Sequence, residues 1–185
     1  MIGPSFLADR PLTVLFYDGD NSGPSLIAEA ILRHRARGQV RALSAGRTSA
    51  AEVAPEVRQT LAAARIPADG LESKPWQRFQ SVFQPRIDVV IFICGNPHYD
   101  GTEVLAGLPG GPMCVHWPME NPAHVEGEAQ RRAAYDHVRR KLERTCDAFV
   151  SLLWEEQGSG SGLGEVAGDL APHEQRPVGE GWVPA

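Results

Sequence analysis

Cysteine is scarce in this chain. Its 185 residues include three, Cys94, Cys114 and Cys146, with no CxxC spacing among them. That spacing argues against a structural zinc site, and an odd number argues against a disulfide framework. Positive charge is also short, with 18 Lys and Arg against 23 Asp and Glu and a formal net charge of −5. Such a balance leaves no electrostatic footprint for nucleic acid or anionic lipid, so neither is expected as a partner. No apolar run approaches the ~20 residues of a membrane-spanning helix. The N-terminus lacks the basic start and apolar stretch of a secretory signal, so a cytoplasmic location is expected. No internal repeat is visible. What is present suits one domain with a sizeable core.

Short apolar runs alternate with helical spacing along the chain. Leu12 to Tyr17 is almost wholly apolar, as expected of a strand covered on both faces. Leu26, Ile27, Ala30 and Ile31 follow at helical spacing, and Gly38 supplies a stop. Val40 to Ser44 reads as a second strand, closed by Ala45-Gly46. Pro55 can open a helix with Val57, Leu61 and Ala64 inside. Trp76, Phe79 and Phe83 form the stripe of a shorter helix. Ile87 to Cys94 is the strongest strand signal, and Gly95 to Pro112 reads as a long Gly- and Pro-rich loop. Met113 to His116 suggests a further short strand. Tyr135, Val138, Leu142, Phe149 and Leu153 mark the buried face of a long last helix. From Glu155 onward apolar residues are few, glycine recurs and no period remains. The expected organisation is therefore a domain over 1–154 and a flexible tail over 155–185.

Strands alternating with helices imply parallel crossovers and an α/β sandwich. Ligands of such sheets bind beyond the carboxyl ends of the strands, where the strand order reverses. The segment that follows the first strand suits that place. Asp18, Gly19, Asp20, Asn21, Ser22, Gly23, Pro24 and Ser25 make a tight polar loop running into a helix. This is the layout in which backbone N–H groups at a helix N-terminus hold an anion.

The chain resembles the low-molecular-weight protein tyrosine phosphatase superfamily, and especially the bacterial arsenate reductases of that fold. The likeness runs from about Thr13 to Leu153. It is carried by Asn21-Ser22-Gly23 with Ala28-Glu29-Ala30, then Leu43-Ser44-Ala45-Gly46 and Ser73-Lys74-Pro75-Trp76. Asp88-Val89-Val90 leading to Cys94, His116-Trp117 and Asn121-Pro122-Ala123 complete it. The resemblance implies a flavodoxin-like three-layer sandwich around a four-stranded parallel sheet. It also implies a signature of Cys, five residues, Arg, then Ser or Thr, with a late Asp before Pro as general acid. There a thiolate attacks phosphate or arsenate while backbone amides and the Arg hold the oxygens.

Carried over residue by residue, the nucleophile position is Asp18, the oxyanion Arg is Pro24 and the general acid is Asn121. All three differ from the implied pattern, while Asn21, Ser22 and Ser25 match the loop's structural residues. A carboxylate at position 18 fills or repels the site of an oxyanion, and Pro24 cannot supply a bidentate clamp. Asn121 forms hydrogen bonds but donates no acidic proton. The expectation is a catalytically degenerate protein that binds an unknown protein or small-molecule ligand, with no catalytic residue, cofactor or metal of its own.

Two alternatives stay open at this point. Cys94 falls where thioredoxin-linked arsenate reductases carry a redox cysteine. A second one is missing, because Gly101 and Thr102 stand where it is expected, and a packed strand-end cysteine is the preferred reading. Asp18 and Asp20 after an apolar strand also fit the start of a Mg²⁺-dependent haloacid-dehalogenase-like phosphohydrolase. The later Lys and distal acid pair of that chemistry are not found. Further residues carry little weight: His98, Tyr99 and Asp100 in the long loop, His116 as a hydrogen-bonding partner, His124 and His137 without metal spacing, and Trp182 in the tail. Trp117 reads as packing. Arg131, Arg132, Arg139, Arg140 and Arg144 read as a solvated helix face.

Overall fold

Four parallel strands form one sheet in the order β2-β1-β3-β4. They are β1 Leu12–Asp18, β2 Val40–Gly46, β3 Val89–Phe92 and β4 Met113–His116. The computed structural model describes residues 10–50, 52–93 and 97–159. Register is continuous across the central strand: Asp18 lies opposite Gly46 in β2, and Tyr17 opposite Phe92 in β3.

Strand alternation divides the core in two. Leu12, Val14 and Phe16 of β1 and Val89 and Ile91 of β3 face one helical layer. Leu15, Tyr17, Val90 and Phe92 face the other. The period-2 geometry of a strand sends successive side chains to opposite faces, so both faces must be apolar in a covered parallel strand. The first layer holds α1 Pro24–Arg35, α2 Pro55–Ala63 and α4 Glu128–Ser159. The second holds α3 Pro97–Gly107 and a 3-10 turn, Trp76–Phe79. This is the flavodoxin-like three-layer arrangement implied by the resemblance.

Helix α1 begins with Pro24, whose missing N–H is harmless in a first turn. Its first nine residues are all buried, between the sheet and α4. Arg33, His34 and Arg35 occupy the last turn, where positive charge suits the helix dipole. Gly38, with φ of 87°, follows the helix in a left-handed turn. On α4, Tyr135, Val138, Leu142, Cys146, Phe149 and Leu153 repeat at three- and four-residue intervals and are buried.

Three expectations are corrected. The stretch read as a long loop contains helix α3. Its glycines serve close packing: a Cβ on Gly107 would lie 2.6 Å from the Trp76 ring, and one on Gly101 would touch Phe92 at 3.4 Å. Val104 and Leu108, one turn apart, bury against the second face. The helix expected through Trp76, Phe79 and Phe83 is only a four-residue 3-10 turn, and Phe83 is 95 % exposed. Strand β3, Val89–Phe92, is shorter than the stretch Ile87 to Cys94, and beside it Asp88 accepts a bidentate pairing from Arg10. Ile87 and Ile93 are still buried beside it. Helix α4 runs on to Ser159. Cys94 and the chain from 160, with Trp182, lie outside the described residues, as do the side chains of His98, Tyr99 and Asp100. Among the described residues no helix is long and apolar enough to cross a membrane.

Candidate functional site

β1 lies between β2 and β3; the chain leaves β1 into α1 on one layer and leaves β3 towards α3 on the other, so the end of β1 is the switch point of the sheet. The loop from Asp18 to Ser25 sits at that point. Asp18 is the last residue of β1 and is only 3 % exposed. Its carboxylate turns into the loop. The backbone N–H of Asn21 donates to one oxygen at 2.7 Å, and that of Ser25 donates to the other at 3.1 Å. The nearby Ser25 hydroxyl also favours the ionised form. Burial raises the Asp18 pKa; the Ser25 hydroxyl and then the two N–H donors pull it down without cancelling that rise, and Asp20 adds a small repulsion.

The other loop donors are also accounted for. Ser22 donates to Asp20 Oδ1 from its N–H at 3.1 Å and from its hydroxyl at 2.7 Å. Pro24 has no N–H to give. From Asn21 to Ser25, Gly23 alone keeps an amide without a partner among the described residues. The loop therefore has the form of an anion cradle, and its donors point at the chain's own carboxylates.

Its backbone carbonyls are pinned from outside. Arg47, Thr48, Ala50 and Ala54 donate their N–H groups to the carbonyls of Asp18, Gly19, Asp20 and Ser22, at 2.9 to 3.2 Å. The Ser73 hydroxyl adds a bond to the Asp20 carbonyl at 2.9 Å. Gly46 is needed here, since a Cβ would lie 2.5 Å from the Thr48 carbonyl oxygen and 2.7 Å from the Asn21 nitrogen.

Asn21 is the hub. It adopts a φ of 52°, a left-handed conformation that Asn tolerates better than most residues. Its side-chain NH₂ donates to Ser25 Oγ at 2.8 Å and Ser44 Oγ at 2.9 Å, and its oxygen accepts from the Lys74 N–H at 2.9 Å. The Ser44 hydroxyl donates a hydrogen bond to Glu29, a buried carboxylate on α1. Arg33 and Lys74 neutralise Glu29, the latter with Nζ at 3.5 Å. Lys74 Nζ also donates to the Glu72 carbonyl at 3.0 Å. A buried charge needs such pairing to be tolerable.

Helix α4 closes the loop from the far side. The Tyr135 hydroxyl would lie 3.3 Å from a Cβ at Gly23, and burial pushes the Tyr135 pKa up to about 12. Nearby, Arg131 of α4 donates to Glu56 of α2 at 2.6 Å and holds the Glu56 pKa below its ordinary value.

The structure thus brings Asp18, Asp20, Asn21, Ser22, Gly23 and Ser25 together. Asn121 does different work: its oxygen accepts from the Ala123 N–H at 3.0 Å and caps the short turn Pro122–His124. Trp117 packs between Phe16 and Phe149, with ring centroids 5.7 and 6.0 Å away. Most arginines singled out on α4 sit in surface ion pairs with Glu56, Glu128, Asp136 or Glu143. The carboxylates of Asp18 and Asp20 diverge onto different loop donors, and no group of three metal-ligating side chains occurs among the described residues. The sequence offers Glu29, Ser44 and Lys74 only as family-like motif residues and Tyr135 only as core, and none of the four as part of the site. A signal existed in Ser25 and Glu29, four residues apart on one helix and so on one face.

Comparison with known proteins adds the context. No curated protein sequence matches. Among solved structures, an arsenate reductase in an oxidised state has a TM-score of 0.61 at 21 % identity, covering 76 % of this chain and 98 % of its own. The arsenate reductase of Archaeoglobus fulgidus gives 0.54 at 22 %, covering 75 % and 98 %. A YwlE mutant from Bacillus subtilis gives 0.62 at 15 %, covering 77 % and 99 %. At these identities the likeness is one of fold. A family description, low molecular weight phosphotyrosine protein phosphatase, matches residues 13–159, and with that span, sheet order and loop the chain belongs to this family.

Proposed function

We propose that this chain is a non-catalytic member of its family, a binding or regulatory protein whose phosphate loop is occupied by its own carboxylate. One observation carries the reading: the N–H groups of Asn21 and Ser25 donate to Asp18 and not outward. Three chemical differences accompany it. Asp18 replaces the expected thiolate, and an ionised carboxylate there repels an incoming anion. Pro24 replaces the guanidinium and removes a backbone donor. Asn121 has no acidic proton and its oxygen is engaged as a cap. The polar network behind the loop is complete, so what has been lost is chemistry and not the scaffold. The ligand is a protein or small molecule that reads the surface around this loop.

The test is turnover. The purified full chain should hydrolyse neither para-nitrophenyl phosphate nor phosphotyrosine peptide, and should not reduce arsenate with thioredoxin. Turnover that vanishes in Cys94→Ser would overturn the reading and make that thiol the reactive group. Turnover that survives Cys94→Ser and vanishes in Asp18→Ala would overturn it in favour of carboxylate chemistry.

A further inference from the structure

The loop is closed by an ionisable group, and that has a consequence of its own. Both Asp18 oxygens accept from backbone N–H groups, one from Asn21 at 2.7 Å and one from Ser25 at 3.1 Å. These contacts join the end of β1 to the first turn of α1. The side chain is 3 % exposed, so water cannot substitute for a lost acceptor without the loop moving. A carboxylate that takes up a proton turns one acceptor oxygen into a hydroxyl. A hydroxyl that must place its own proton is a far poorer acceptor for a second N–H donor. We propose that Asp18 is a pH-sensitive latch: ionised, it holds the loop shut on the N–H groups of Asn21 and Ser25, and on protonation it releases one of them.

The surroundings favour proton uptake by this group over its neighbours. Burial acts against the ionised form of Asp18, and Asp20 in the same loop repels it. From α4, the Tyr135 hydroxyl stays neutral at ordinary pH. Arg131 of α4 is bound to Glu56 of α2 and does not offset Asp18. On the α1 side Glu29 is matched by Lys74 and Arg33. No cation among the described residues is paired with Asp18 itself. The latch rests on the proposal that the loop holds its own carboxylate.

The test is an NMR titration of the ¹⁵N-labelled full chain, with no added ligand, from about pH 8 down to about pH 4.5, a window above the ordinary Asp pKa. The Asn21 and Ser25 N–H resonances should move together with one midpoint, and one of them should lose exchange protection. The ratio of latched to released forms should change about tenfold per pH unit below that midpoint. The Asp18 Cγ resonance of the wild-type chain should report the same midpoint, which keeps the test valid if variants fold poorly. In Asp18→Asn the transition should be absent. Flat Asn21 and Ser25 signals across the window, a midpoint that differs from that of Asp18 Cγ, or a transition that persists in Asp18→Asn would each overturn the latch. Turnover in the wild-type chain would instead contradict the non-catalytic reading, so the two failures are distinct.

Discussion

Asp18 is held at a cost that its neighbours only partly offset. Its pKa is raised because desolvation outweighs the hydrogen bonds from Ser25 and Asn21. A group with a raised folded-state pKa contributes its full share to stability below the unfolded value, and that share is lost as pH rises through the folded value. Wild-type stability measured against Asp18→Asn should therefore decline from about pH 4 upward, until pH passes the folded value, and be level beyond it. Urea denaturation of both chains over a pH series checks the sign. Gly46 carries a second prediction at this scale. An added Cβ would meet backbone atoms of Thr48, Asn21 and Asp20 at 2.5 to 2.8 Å, none of which can swing aside. Gly46→Ala should destabilise by ~1–3 kcal/mol, the usual cost of overpacking, and should shift the Asn21 and Ser25 N–H resonances.

Elements divide by how much of their structure is written locally. The strands and the main helices were legible because each has a strong period and a covered face, as in Leu12 to Tyr17 or Tyr135 to Leu153. Helix α3 was not, because Gly101 and Gly107 look like loop residues until Phe92 and Trp76 are known to press against them. The Trp76–Phe83 stripe misled in the other direction, since the chain turns away after Phe79 and leaves Phe83 in solvent. Phe83→Ser should accordingly change stability by no more than about 0.5 kcal/mol. Leu142, fully buried on α4 in the larger core cluster, should cost ~2–5 kcal/mol as Leu142→Ala. Thermal or urea unfolding of the two variants would separate these expectations. In the loop, Asp18 and Pro24 stood out in the chain itself. The partners of Asn21 did not, because Ser44 and Lys74 reach it only through folding, from 23 and 53 residues away.

Across the whole molecule, the sheet order places one loop at the divergence of two crossovers, and the layers on either side hold it there. The order β2-β1-β3-β4 puts this loop at the switch point of the sheet, inside the family match over residues 13–159. In this chain the Asp18 carboxyl takes the N–H groups of Asn21 and Ser25 in that loop. The distinction between a lost loop and a filled one is testable by repair. Asn21, Gly46 and the four carbonyl contacts keep the backbone in place. Removing the carboxylate and restoring a clamp, as Asp18→Cys with Pro24→Arg, should then return oxyanion affinity, each group supplying a few kcal/mol by analogy with other oxyanion sites. The most direct measurement is calorimetric titration of phosphate into the wild-type chain and into this double variant at neutral pH. Silence in the wild type and saturable binding in the folded double variant is the predicted result. Saturable binding in the wild type would contradict the central claim that the loop is filled by Asp18.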